Sequence, residues 1–448
     1  MMRFPIFHRG RSAPDIAIRA GRRLAFGAGL AWLLCSLALP AADWPQWRGP
    51  NRDGLLGIGS SLPATLPSDP PPAWRLSVGD GLASPVVSGG RLYHLDAAGG
   101  KEIVHALDSR DGRELWSSPV DESFADEQGP PGPRCTPVVD GDRLYVQSCR
   151  GELQCRATEG GRLLWRANFL KEYGAVLLGE DSKVPGAAEH GYTASPLVLG
   201  DLLIACPGGT NGAGVVAFNK RTGVVAWKSQ DDLASYAAPI AARLAGVEQI
   251  VCFTVEGVIG LRPRDGGLLW RYPLTTSYGR NVTTPLVAGG DRVVVGSYKA
   301  GLVGLRIVAD GGGLRVERSW VNRQAAMNFS SPVLLGEFLY GLGPAKNLIC
   351  LEAATGRLIW SKEGLFPTSA DAAFGAFIGS GSRLLVWTDV GEAILGAVDA
   401  AGFRELGRAQ VCGKNWCHPA WAGGRLFVRD GMRSGGNLVA IDLALPTP

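Results

Sequence analysis

The chain has 448 residues, 46% of them hydrophobic and 19% charged, with 13 Trp, 63 Gly and 29 Pro, a composition that excludes a disordered or fibrous protein and describes one with a large core and many turns. Of its 45 Lys and Arg and 41 Asp and Glu, the first 42 residues take six and one, leaving 39 basic and 40 acidic residues from Asp43 onward. A protein that neutralises a nucleic-acid backbone needs a basic stripe, and this near-neutral remainder has none.

Residues 1–42 have the three parts of an export signal: an arginine-rich start (Arg3 to Arg23), an apolar stretch from Leu24 to Leu39, and small residues at Ala41 and Ala42. The expectation is a cleaved signal peptide and an exported protein, periplasmic or held in the cell envelope. A retained anchor is the competing reading, because the apolar stretch falls just short of the ~20 residues that span a bilayer. Cys35 follows Leu34 rather than a small residue and suits lipid attachment poorly. Residues 43–72 form an N-terminal extension.

From Ala83 to the C-terminus one unit recurs about every 40 to 60 residues, the period of propeller blades. Each unit opens with a small residue, usually a proline, and an apolar run: Ser84-Pro85-Val86-Val87, Thr136-Pro137-Val138-Val139, Ser195-Pro196-Leu197-Val198, Ala238-Pro239-Ile240, Thr284-Pro285-Leu286-Val287, Ser331-Pro332-Val333-Leu334, Ala376-Phe377-Ile378 and His418-Pro419-Ala420-Trp421. A second apolar run follows a Gly-containing turn. A third run then leads through a tight turn such as Asp111-Gly112 or Thr222-Gly223 to a fourth that carries a Trp, as at Trp116, Trp165, Trp227, Trp270, Trp320 and Trp360. Proline at the first residue of a strand sacrifices no ladder bond. The seventh unit is irregular, with Phe377 at the proline position and Leu406 where Trp belongs.

The eighth unit ends at its third run, Leu438–Leu443, while an orphan Trp-bearing strand, Ala73–Val78, precedes the first unit. Joining them in one blade closes a ring and removes a bare sheet edge. The expected fold is therefore all-β: an eight-bladed β-propeller of four-stranded antiparallel blades over residues 73–448, closed by an N-terminal strand in the last blade.

Eight cysteines remain after Cys35. Most lie in β-like runs, where cysteine packs as a small apolar side chain. Cys412 and Cys417, flanking a loop, are the expected disulfide pair. His94 and His105 fall in neighbouring strands but out of register by the turn assignment, which favours packing over metal binding. The connection from Lys171 to Gly191 is the longest between units, either a cover over one channel end or a plain surface excursion. Asn281-Val282-Thr283 and Asn328-Phe329-Ser330 match the glycosylation pattern, which matters only in a eukaryotic secretory route.

The repeat resembles that of the pyrroloquinoline quinone (PQQ) family of propellers from Trp44 to the end, on the opening Trp44-Pro45-Gln46-Trp47-Arg48-Gly49-Pro50-Asn51-Arg52-Asp53-Gly54 and on closings such as Leu351 to Trp360. The resemblance implies the propeller fold. It covers quinoprotein alcohol dehydrogenases and an outer-membrane assembly lipoprotein that acts as a scaffold, so it does not fix an activity. In the dehydrogenases PQQ lies on the axis under a disulfide of adjacent cysteines, beside a calcium, and this chain has no Cys-Cys pair.

Residues in the loops entering each innermost strand surround the channel mouth, where propellers bind ligands. These are Arg134, His190, Tyr192, Tyr236, Arg280, Asn281, Asn328, Asp371, Lys414, Asn415, Trp416 and His418. The expected function is a noncatalytic binding or scaffold propeller, monomeric, without cofactor or resident metal, meeting a protein partner or small ligand at one face. The alternatives are a PQQ- and calcium-dependent dehydrogenase, with Asp371, Asn281 and Asn328 as its polar groups, and saccharide or peptide capture by Trp416, Tyr192 and Tyr236.

Overall fold

The computed structural model describes residues 43–127, 129–179, 184–297, 300–327, 329–366, 374–432 and 434–443. Residues 1–42, where a signal peptide is expected, and Asn328 and Asp371 lie outside the described residues. From Trp44 onward the chain forms eight four-stranded antiparallel sheets arranged as the blades of a ring. Blades 1 to 7 take their strands consecutively, beginning at Val86–Ser88, Val138–Asp140, Leu197–Leu199, Ile240–Leu244, Leu286–Val287, Val333–Leu335 and Gly375–Ser380. Blade 8 takes Ala420–Ala422, Arg425–Arg429 and Gly436–Asp442 from the C-terminus and Pro72–Val78 from the N-terminus. In that seam Trp74 lies opposite Ala440 and Val78 opposite Gly436, so the ring closes as the orphan strand required.

The repeated Trp residues have a specific task. The indole N–H of one blade donates to a carbonyl in the outer hairpin turn of the next: Trp74 to Ser109 (3.1 Å), Trp116 to Thr158 (3.0 Å), Trp165 to Lys220 (3.0 Å), Trp227 to Pro263 (2.8 Å), Trp320 to Ala353 (3.2 Å) and Trp360 to Asp399 (2.8 Å). In the first five of these the same ring lies over the turn glycine. A Cβ on Gly161, whose φ is +66°, would meet the Trp116 ring at 2.5 Å, so both the turn conformation and the contact call for glycine. Each staple thus joins a burial of aromatic area to a satisfied indole donor.

The exceptions follow the same geometry. Blade 5 ends in a long hairpin, Gly301–Asp310 against Gly313–Asn322, which carries its turn away, and Trp270 donates to Gln249 within its own blade instead. In blade 7 the register puts Gly407 at the Trp position, one residue past the expected Leu406, which is the bulge residue; blade 8, sewn from both chain ends, has no third-to-fourth turn for a Trp to reach. The extension fills the place: Leu62 and Leu66 are buried there, and Thr65 Oγ1 donates to the Leu406 carbonyl (2.7 Å).

Two expectations are corrected. His94 and His105 are direct cross-strand partners, because the hairpin turns at Gly99-Gly100. Their rings stack at 4.7 Å, and the two nitrogens of His105 are taken by Glu114 (2.7 Å) and Asp96 (3.0 Å). The Cys412–Cys417 disulfide is not formed, and both are free thiols. Their loop is held by Asn415, whose side chain accepts from Trp387 Nε1 (2.8 Å) and donates to the Thr388 carbonyl (3.1 Å). Burial pushes the Cys417 thiol up to about 11.

Candidate functional site

Innermost strands leave one edge unpaired toward the axis, and their carbonyls need donors. The extension supplies them. It enters beside the far end of blade 1, where Trp44 and Val87 exchange backbone hydrogen bonds (2.8 and 2.9 Å) and Asp43 accepts from Ser88 Oγ (2.7 Å). It then crosses the channel as a plug. Pro45 O accepts from Val139 N (2.8 Å), Trp47 Nε1 donates to Thr284 Oγ1 (2.9 Å), Arg52 donates to the carbonyls of Ser195 and Pro196 (2.8 and 2.7 Å), and Arg48 donates to Pro332 O (2.5 Å). The segment returns along blade 7, with Leu55 bridged to Gly379. One eleven-residue stretch, Trp44 to Gly54, therefore touches the inner edges of blades 1, 2, 3, 5, 6 and 7, the last through Gly54 O and Gly379 N (2.9 Å).

The plug depends on unusual backbone. Arg48 and Arg52 have φ of 59° and 60°, and a Cβ on Gly54 would stand 2.6 Å from Val333 Cγ1. Both guanidinium groups are buried. Burial draws their pKa values down to about 10, offset for Arg48 by Asp53, so both stay charged at neutral pH. His418 is buried against Trp44 and Trp47, with ring centroids 6.4 and 5.3 Å away. Its burial, then the Arg48 charge, lowers the imidazole to about 3.

Above the plug the entry loops enclose a cup of about 200 Å³ with Trp47 in its lining. Five of the residues expected there, Arg134, His190, Tyr236, Arg280 and Trp416, line it together with Leu82, Ser84, Val282, Phe329 and Phe374. One side is polar and tightly networked. Arg134 donates to both oxygens of Asp126 (2.7 and 2.8 Å) and to His190 O (2.9 Å). His190 Nδ1 lies 3.2 Å from Asp126, and its Nε2 lies 3.0 Å from Arg280 Nη2, which also donates to Glu189 (2.9 Å). Burial opposes ionisation of Asp126, but hydrogen bonds from His190 and Arg134 outweigh it and hold the carboxyl well below the usual range. Burial pushes the Tyr236 phenol upward, and it donates to Gly186 O (2.6 Å). The other side is aromatic: Phe329 and Trp416 stack at 5.1 Å with 26° between planes.

The remaining expected residues stand elsewhere. Tyr192 is buried against Phe169 and donates to Pro207 O (3.1 Å). Asn281 is buried, donating to Thr254 O (2.7 Å) and accepting from Thr276 (2.7 Å), which also places its glycosylation pattern out of reach in the folded chain. Asn415 and His418 brace strand ends, and Lys414 is exposed. Of the long connection, Ala187–His190 brings Glu189 and His190 to the rim. Sequence reasoning missed Trp47, Arg48 and Arg52 as axial groups and Phe329 and Phe374 as walls. The last two could have been found, since both lie in the entry loops already singled out, Phe374 directly before Gly375–Ser380 and Phe329 four residues before Val333.

A closed ring of eight four-stranded blades, with its first and last strands sharing a blade and an entry-loop cup on the axis, is an eight-bladed propeller of the PQQ-like kind. Residues 100–362 match the family described as outer membrane protein assembly factor BamB, and the chain belongs to that family. Among solved structures it is similar to the quinohemoprotein alcohol dehydrogenase from Comamonas testosteroni (TM-score 0.62, 13% identity, 91% of this chain and 81% of that one). It is likewise similar to BamB from Moraxella catarrhalis (TM-score 0.54, 14% identity, 83% and 99%) and to the computationally designed Ika8 protein (TM-score 0.53, 11% identity, 85% and 100%). At such identities the likeness concerns the fold. No curated protein sequence matches the chain.

Proposed function

We propose that this protein is an exported, noncatalytic binding propeller whose working surface is the entry-loop cup. The observation that carries the reading is the plug: the axial channel is stoppered by a segment of the chain itself, which leaves a dead-ended cup built for holding rather than passage. The rigid strands behind each entry loop keep its wall in place. The family description, an assembly factor, accords with a binding role, and the arginine-rich, then apolar, opening accords with export.

The lining does not suit the quinone and calcium of the enzymatic alternative. Calcium takes six to eight oxygen ligands, carboxylates foremost, and among the described residues that line the cup there is no carboxylate, only guanidinium, imidazole, phenol, hydroxyl, indole and hydrocarbon. Asp126 and Glu189, behind the wall, are already bound to Arg134 and Arg280.

The test is to incubate the purified protein with PQQ and calcium, dialyse, and follow quinone absorbance and alcohol-dependent dye reduction. The expected result is neither retained quinone nor turnover. Stoichiometric retention with dye reduction would overturn the noncatalytic reading.

A further inference from the structure

Resting on the reading of the cup as a binding site, we propose that its ligand is a small aromatic carboxylate, a single ring carrying its acid group on a short arm. The lining offers donors. Arg280 commits Nη2 to Glu189 and His190, and its Nη1 has no partner among the described residues. The Trp416 indole N–H is equally unclaimed, and the Ser84 hydroxyl, which accepts from His418 N (2.8 Å), keeps its own proton to give. Three donors without partners among the described residues, on side chains that line one cavity, call for an acceptor-rich group.

Charge selects among such groups. Asp126 and Glu189 neutralise Arg134 and Arg280 from behind. Beneath the cup, Arg48 has Asp53 nearby, whereas Arg52 is buried on the carbonyls of Ser195 and Pro196 alone. Ser195 itself lines the cup. Among the described residues at the axis, the buried Arg52 is thus a positive charge without a carboxylate partner, which matches a carboxylate monoanion better than a phosphate dianion.

Shape supplies the rest. Phe329 and Trp416 stack, and Phe374 and Trp47 join them in the lining, Trp47 held beside the Arg280 loop by its bond to Thr284. A flat ring can lie against that stack while its acid group reaches the guanidinium edge. The cavity of about 200 Å³ is smaller than the ~300–1,000 Å³ of pockets for drug-sized ligands, a size that favours one ring over a fused multi-ring acid.

The experiment titrates the full chain with 3-phenylpropionate, its neutral amide and propionate, reading calorimetry and tryptophan fluorescence. The acid is expected to bind saturably and quench fluorescence, with the amide about tenfold weaker, the effect of one charge-assisted hydrogen bond, and propionate weaker still. Arg280→Gln should bring the acid to the level of the amide, Arg280→Lys should keep the preference, and Trp416→Leu should weaken acid and amide alike. Circular dichroism checks that each variant is folded. Equal binding of acid and amide, or an unchanged ratio in Arg280→Gln, overturns the proposal. So does the absence of saturable binding into the millimolar range, an outcome that leaves the noncatalytic reading standing, since quinone retention decides that separately.

Discussion

His418 shows how burial turns an ionisable residue into a packing one. Its imidazole, lowered to about 3 between two tryptophans and above Arg48, stays neutral in the folded chain, whereas unfolded it titrates near 6.5. Between these values the unfolded chain binds a proton that the native one refuses, so stability rises with pH across that window and is lost on acidification. At pH 5 this group alone should cost about 2 kcal/mol relative to pH 7. Urea midpoints at the two pH values should show that loss in the wild type and a smaller one in His418→Phe, which keeps an aromatic ring in place without the titration. At this scale the sequence was only half legible. Asn281 and Asn415 sit in the right loops, yet their amides close strand ends, because a buried loop must first satisfy its own backbone. His94 and His105 are paired because the turn falls at Gly99-Gly100, a placement that the surrounding run of small residues left open.

Among the elements, the outer strand and its Trp are the joint between blades. Trp165→Ala removes a buried indole and one of the two donors to the Lys220 carbonyl, leaving Tyr145 Oη (3.0 Å), and should cost about 3–5 kcal/mol, measured by chemical denaturation. The complementary variant, Gly407→Trp, restores the repeat at its irregular unit and should nonetheless destabilise by about 1–3 kcal/mol, because the Leu66 backbone already stands where its side chain would begin and blade 8 presents no turn. A gain in stability there would mean that the irregularity has no structural cause. The strands, turns and staples were readable because each answers to a local period and to glycine chemistry repeated in every unit. The long hairpin of blade 5 breaks that period, and Trp270 turns back to its own blade accordingly.

For the whole molecule, the ring closure at Pro72–Val78 was legible as a missing strand, whereas the plug was not. Its contacts are hydrogen bonds to backbone carbonyls, such as that from Arg52 to Pro196, and no hydrophobic pattern announces them. A chain beginning at Leu62 keeps every blade and the closing strand but loses the axial bonds and Trp47. It should unfold at a lower urea concentration with a nearly unchanged slope, since most of the surface exposed on unfolding remains, and it should lose the fluorescence response to 3-phenylpropionate. An unaltered midpoint would mean that the plug fills the channel without bracing it.

The seam and the plug also set a timetable. Trp44 to Gly54 and Pro72–Val78 are among the earliest described parts of the chain to be synthesised, yet Arg48 waits for Pro332, Leu55 for Gly379, and Trp74 for Ala440. Every blade except the eighth can pair its strands as they emerge, but the circle cannot be locked before residue 442 has appeared. Contacts so distant in sequence make for slow closure, and until then a half-built ring holds two bare edges and an empty axis. A nascent chain stalled after blade 7 is accordingly the form most exposed to wrong pairing, with every hydrogen-bond partner of the plug made but the closing strand Pro72–Val78 still without its own.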